Sequence, residues 1–432
     1  MIVETKLGAI EGVQTDHAYL YQGIPYAKPP IGHRRFRSPE PLGPWNDVYL
    51  AKTFPPMAPQ AGQSPGSFYY KEFYAHPESE PAMDEDCLYL NIWTPLNSSE
   101  PAPVAVWIHG GGFMNGYASE IEFDGDAFAK RGIILVTIQY RLGLLGFFAH
   151  PELTQRDGHS GNYGILDQIA AINWIREHIA AFGGDPNRIT ILGQSAGGMS
   201  VRALISSPLM NGKIHAAVIQ SAGGYKSTMT PAVTMEVLEK ASVRFLKKQH
   251  MSLAEFQSLP WTQVIKYTQK YILAALPYTH SYFSTVPCID GYVLPNHVDH
   301  ALEQGKILPI SYLIGCTRND FMVKKAAVRN PERNNLYTSD RDFCQLANAK
   351  GKPAYAYYFT RQLPGDRSGA FHSSELWYLF GTLPRCWRPM ETADYDLSEE
   401  MTNAWAAFMK TGNPGWSACT SDNPYVKVFD IK

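Results

Sequence analysis

The chain has 432 residues, 45% of them hydrophobic and 18% charged, enough for one large α/β domain and unlike the composition of a disordered chain. Its 38 lysines and arginines against 40 acidic residues leave a formal charge of −2, so neither nucleic acid nor an anionic membrane surface is an expected partner. A neutral or small substrate suits that balance better.

The first eight residues lack a basic stretch followed by an apolar one, and no later run approaches the length of a bilayer span. A non-exported, cytoplasmic chain with no membrane span is expected. Cys87, Cys288, Cys316, Cys344, Cys386 and Cys419 are scattered without C-x-x-C spacing, which argues against a zinc site and a disulfide framework alike. Residues 1–50 hold short β-like pieces broken by Gly23, Pro25 and Pro29-Pro30, read as a small antiparallel lead-in. From 53 to 84, proline, glycine and aromatics alternate without period. This long loop carries Phe68, Tyr69, Tyr70, Phe73 and Tyr74, which either wall a pocket or cover a sheet edge.

Residues 104–108 and 133–138 are near-continuous apolar runs, as expected of parallel strands buried on both faces. Ile165, Ile169, Ile172, Ile175 and Ile179 recur at helical spacing, with Asp167 near the start and Gly183 just past the end, predicting a helix over 164–182. Further strands are predicted at 188–192, 216–219, 312–314 and 354–359. The alternation of strand and helix predicts an open α/β sheet. Residues 228–305 turn helical and irregular, with an interruption at Pro260, and are placed as a cap over the site. No repeat or clean linker divides the chain, so a single domain, 1–432, is expected.

Four stretches carry chemistry. The apolar strand 188–192 runs into Gly193-Gln194-Ser195-Ala196-Gly197, the G-x-S-x-G of a nucleophile elbow, in which a sharp turn holds the serine hydroxyl clear of the backbone. Directly after the strand 104–108 comes His109-Gly110-Gly111-Gly112-Phe113. Its consecutive glycines suit an oxyanion hole, with Gly111 and Gly112 as donors beside Ala196. A phosphate loop is the competing reading. It is weaker, because no Lys-Ser/Thr pair follows and Phe113 and Met114 stand where a phosphate needs polar groups. Asp320, in the polar loop after the strand at 312–314, is the candidate acid, and His372, in a loop opening into the aromatic run 377–380, is the candidate base. The chain order Ser195, Asp320, His372 is that of the α/β-hydrolases rather than of the unrelated serine proteases. Every other histidine, His109 included, is read as structural.

With these residues in place the chain resembles the type-B carboxylesterases, a family that also holds cholinesterases and bacterial para-nitrobenzyl esterases. The matching stretches are 21–27, 85–93, 109–113 and 161–168, besides the elbow. The resemblance implies an α/β-hydrolase fold, a mostly parallel central sheet with helices on both faces and helical and loop insertions over the site. It also implies ester hydrolysis without metal or cofactor, and maps nucleophile, acid and base to Ser195, Asp320 and His372. The oxyanion donors map to Gly111, Gly112 and Ala196.

Several departures stand out. Most members carry glutamate where this chain has Asp320, so the acid is one methylene shorter and its loop must sit nearer His372. Secreted members pair the cysteine matching Cys87 with an upstream cysteine; the matching stretch here, 54–58, offers Met57, in keeping with a reducing compartment. The choline-binding tryptophan of cholinesterases is missing, since the region reads His76-Pro77-Glu78-Ser79, which disfavours a quaternary ammonium substrate. The spans 321–352 and 411–416 are also short for the family, either because this member is trimmed and its pocket more open or because those segments are missing from the chain.

The expected partner is a small apolar or aryl ester, held in a pocket that Phe113, Tyr69, Tyr70, Tyr278, Tyr282 and Trp377 are expected to line. Any one of these aromatics has an equal claim to packing a loop on the sheet. A thioesterase or amidase on the same scaffold, or a non-catalytic binding relative, is the alternative. Oligomeric state is not readable from the sequence.

Overall fold

The computed structural model describes residues 1–228, 233–281 and 283–431. Thirteen strands form among them: β1 Ile2–Thr5, β2 Gly8–Glu11, β3 Val13–Gln14, β4 Ala18–Pro25, β5 Tyr49–Leu50, β6 Tyr89–Pro95, β7 Ala102–Ile108, β8 Ile134–Ile138, β9 Gly184–Gln194, β10 Ala216–Gln220, β11 Ser311–Thr317, β12 Ala354–Phe359 and β13 Val426–Phe429. Strands β1, β2 and β5 make a small sheet. The other ten build one large sheet in the order β13-β12-β11-β10-β9-β7-β8-β6-β4-β3. From β8 to β13 every neighbouring pair is parallel, whereas β6, β4 and β3 add an antiparallel flank.

Why the central runs lack alternation is visible at β7. Val104, Val106 and Ile108 point into one core with Ile165 and Ile172 of the helix Tyr163–His178. Ala105 and Trp107 point into another with Trp405 and Phe408 of the helix Thr392–Thr411. Side chains alternate across the pleat, but apolar cover lies on both faces, so both sets must be apolar. Each large side chain fully buried this way contributes about 1.5–3 kcal/mol. The predicted helix at 164–182 is an α-helix over Tyr163–His178 that tightens to a 3-10 turn at Ile179–Phe182 and stops at Gly183, whose φ of +79° closes the end. Asp167, inside that helix, is fully buried and takes both arms of the Arg141 guanidinium at 2.7 Å.

After β10 the chain leaves the sheet for the helices Met235–Lys248, Leu253–Ser258, Trp261–Val264, Thr268–Thr279 and Val298–Glu303. Polar ties hold this segment down. Asn162 hydrogen-bonds both the carbonyl and the N–H of Cys288, Arg35 reaches the carbonyls of Gln257 and Leu259, and Arg202, on the helix after Ser195, pairs with Asp299 at 2.6 Å. Among the described residues no helix is long and apolar enough to cross a membrane.

Candidate active site

Strand β9 ends at Gln194, and the helix Ala196–Ile205 starts one residue after Ser195. Ser195 carries the whole change of direction, with φ +56° and ψ −124°, a strained conformation for a residue with a side chain. Close packing explains the glycines around it. A Cβ on Gly197 would lie 1.9 Å from the Ile108 carbonyl oxygen, and one on Gly193 would lie 2.5 Å from Gly197. The turn can press this hard against the end of β7 only because both side chains are absent.

The glycine loop after β7 meets the serine from the other side. A Cβ on Gly110 would stand 3.2 Å from the Cβ of Ser195, and one on Gly111 would overlap the Asn115 carbonyl at 1.9 Å. Gly111, Gly112 and Phe113 all have positive φ, a coil that leaves successive N–H groups without regular pairing. Ala196 is the first residue of its helix, so its N–H has no carbonyl inside the helix and sits at the positive end of the dipole.

Asp320 and His372 lie beyond the ends of β11 and β12. Their loops are stapled by Asn319, whose N–H donates to the Ala370 carbonyl at 2.8 Å while its Oδ1 accepts from the Ala370 N–H at 3.1 Å. That staple brings the shorter acid within reach: the His372 Nδ1 to Asp320 Oδ1 distance is 2.5 Å. Asp320 also accepts from the N–H groups of Thr317 and Phe321. Burial alone would raise the Asp320 carboxyl, but the charge and hydrogen bond of His372 outweigh it and hold the group below the usual carboxylate range. Burial likewise acts to lower the His372 imidazole. The Asp320 charge and hydrogen bond reverse this, with help from Glu375, and leave it above the ordinary histidine value of 6.5. The Gln194 amide nitrogen lies beside the ring, 3.4 Å from Nδ1 and 3.3 Å from Nε2.

Ser195, Gly111, Gly112, Ala196 and His372 border one cavity of about 290 Å³. Of the six expected pocket aromatics, Phe113 and Tyr69 line it. Three do not. Trp377 is fully buried and stacks behind Phe73, ring centroids 5.4 Å apart, so it backs the wall instead of forming it. Tyr70 opens a five-residue π-helical turn, Tyr70–Tyr74, and does not border the cavity, whereas Phe73 and Tyr74 of that turn do, with the preceding Tyr69. Tyr278 is partly exposed on the helix Thr268–Thr279, beside Arg244. Tyr282 lies outside the described residues. Phe283 and Phe321 stand at the mouth, 38% and 44% exposed. His109 is fully buried against Tyr140, ring centroids 4.5 Å apart, and burial lowers it to about 4, so it stays neutral.

Sequence reasoning missed three carboxyls. Glu375 is fully buried three residues after His372; burial first, and the Asp320 charge second, push it up to about 7. Glu120 and Glu122 border the cavity. No local pattern marks them, because their burial is created by loops distant in the chain.

A mostly parallel sheet with a strained serine on its sharpest turn has the architecture of the α/β-hydrolases. Comparison with known proteins narrows that class. The carboxylesterase family model matches residues 1–342 and 332–428, two pieces that overlap over 332–342. The chain is 32% identical to the para-nitrobenzyl esterase of Bacillus subtilis (strain 168), covering 96% of this chain and 91% of that one. It is 29% identical to the phenmedipham hydrolase of Pseudarthrobacter oxydans, over 99% and 94% of the two chains. A solved PNB esterase structure superimposes with a TM-score of 0.86 at 28% identity, covering 100% of this chain and 96% of the other. The chain belongs to the carboxylesterase family and is a carboxylic ester hydrolase of the serine type.

Proposed function

We propose that Ser195, His372 and Asp320 act as nucleophile, base and acid in the hydrolysis of small apolar or aryl esters through an acyl-enzyme, with Gly111, Gly112 and Ala196 as the oxyanion donors. The observation that carries this reading is the 2.5 Å contact of His372 Nδ1 with Asp320 Oδ1 at the cavity that Ser195 and the glycine loop border. Neutral His372 takes the Ser195 proton on Nε2 as the oxygen attacks the ester carbonyl. Asp320 keeps the other proton on Nδ1 and stabilises the imidazolium. The oxyanion forms against the three N–H groups, each worth about 2.7–4 kcal/mol in the transition state. His372 then gives its proton to the departing alcohol, and water repeats the two steps to release the acid and free Ser195.

The aromatic wall of Tyr69, Phe73, Tyr74 and Phe113 supports an apolar or aryl group on the ester. On this reading the chain works as one catalytic unit, 1–432, with 228–305 as its cap; Phe283 of that segment borders the cavity. Six unpaired, buried cysteines suit the reducing cytoplasm. Ser195→Ala is expected to cut hydrolysis of a short aryl ester by about a million-fold, the scale of a lost serine nucleophile, while its circular dichroism and melting match the wild type. Turnover within tenfold of wild type in that variant would reject the assignment.

A further inference from the structure

The cavity holding Ser195 also borders two carboxyls that ester hydrolysis does not use. Glu120 is 6% exposed and Glu122 2%. Oε1 of Glu120 accepts from the Tyr74 hydroxyl at 2.9 Å and the Tyr117 N–H at 3.1 Å. Oε2 of Glu122 is closed off from water, and the Glu122 carboxyl is hydrogen-bonded to Glu120 and to its own backbone, with no cationic side chain paired to it. The groups acting on the pair are each other, the Tyr74 hydroxyl and backbone amides, with no cation among them. Burial raises Glu120 to about 7. Burial and then the Glu120 charge raise Glu122 further, so two adjacent carboxyls share a proton and keep part of a negative charge. Phe73, Trp107, Phe123 and Leu376 complete this stretch of wall.

A desolvated, uncompensated charge is costly where only packing is at stake, and apolar side chains would fill the place better. An incoming ammonium removes that cost. Its N–H groups donate to the carboxyl pair where it borders the cavity, and the aromatic faces accept its charge. A quaternary ammonium has no N–H to give, and two carboxyls are too few for a dedicated metal site.

We propose that Glu120 and Glu122 form a cation-recognition subsite of the substrate cavity, so that the esters turned over best carry a protonated primary or secondary amine remote from the reacting carbonyl. This rests on the ester-hydrolase reading above and refines its substrate class. Two matched pairs test it: the para-nitrophenyl esters of epsilon-aminohexanoic and heptanoic acid, with the amine on the acyl side, and aminohexyl against heptyl butyrate, with the amine on the alcohol. In the wild type, kcat/KM is expected to favour the ammonium ester of at least one pair by about tenfold or more, the size of one charge-assisted hydrogen bond. Glu122→Gln should narrow that ratio, and Glu120→Gln with Glu122→Gln should bring it to one or below. The wild-type ratios stand even if the double variant does not fold. Preference for the neutral ester in both pairs, or a ratio that survives in a folded variant, overturns the subsite and leaves the hydrolase reading intact. No turnover of any of the four esters overturns both.

Discussion

At the position of His372, two opposed forces can be read against each other. Burial favours the neutral ring and the Asp320 carboxylate favours the charged one; the carboxylate wins, aided by Glu375, and the imidazole lies above 6.5. On the proposed role of His372 as general base, which needs the ring unprotonated, activity rises with pH through that raised value. The acid limb of kcat/KM for a neutral ester should therefore have its midpoint above 6.5. In Glu375→Gln it should move down, because one of the charges holding the proton on the ring is gone. A pH titration of initial rates decides both points: a midpoint at or below 6.5, or one unmoved in the variant, contradicts this balance. Ser195 was singled out by the G-x-S-x-G turn around it and Asp320 and His372 by chain order and resemblance, and the fold brings the last two within 2.5 Å of each other. Glu375, Glu120 and Glu122 were not singled out, since an acidic residue in a loop normally faces water and only the folded chain closes these three off from it.

Among the elements, the π-helical turn Tyr70–Tyr74 separates what pattern reveals from what it hides. The helix Tyr163–His178 repeats isoleucines at helical spacing and could be drawn almost to its last residue. Residues 53–84 have no period and read as plain loop, yet five of them coil into a turn that sets which aromatics face the substrate. Its anchor is Glu72, fully buried, which takes the Arg388 guanidinium at 2.7 and 3.0 Å. Arg388 also holds Asp366 and the Pro364 carbonyl. Removing one partner strands the other charge in the interior at about 3–5 kcal/mol. Glu72→Ala should lose about 3 kcal/mol in urea unfolding, since Asp366 keeps part of the compensation, and should raise KM for aryl esters more than it lowers kcat. An unchanged unfolding midpoint would show that the ion pair does not hold this wall.

Across the whole molecule, the parallel centre of the sheet was readable from uninterrupted apolar runs and the antiparallel lead-in from its short broken strands, while the pairings of β6 with β4 and β8 and the place of β13 join residues far apart in sequence. The same holds for the helical segment after β10, whose helices were predicted but whose ties through Arg35, Asn162 and Arg202 appear only in three dimensions. One outcome of that assembly concerns Phe283, brought by the helical segment after β10, and Phe321, which directly follows Asp320. Two large rings left in water beside the cavity that Ser195 borders make a poorly wetted threshold, where greasy solutes partition before they react. Surfactant monomers should thus behave as competitors. Below its micellar concentration, a nonionic detergent should raise KM for a water-soluble acetate ester with kcat constant, and Phe283→Ser with Phe321→Ser should blunt the effect; equal sensitivity in that variant would place the greasy contact elsewhere. An enzyme with such a doorway will look sluggish or brisk depending on how its assay is dissolved.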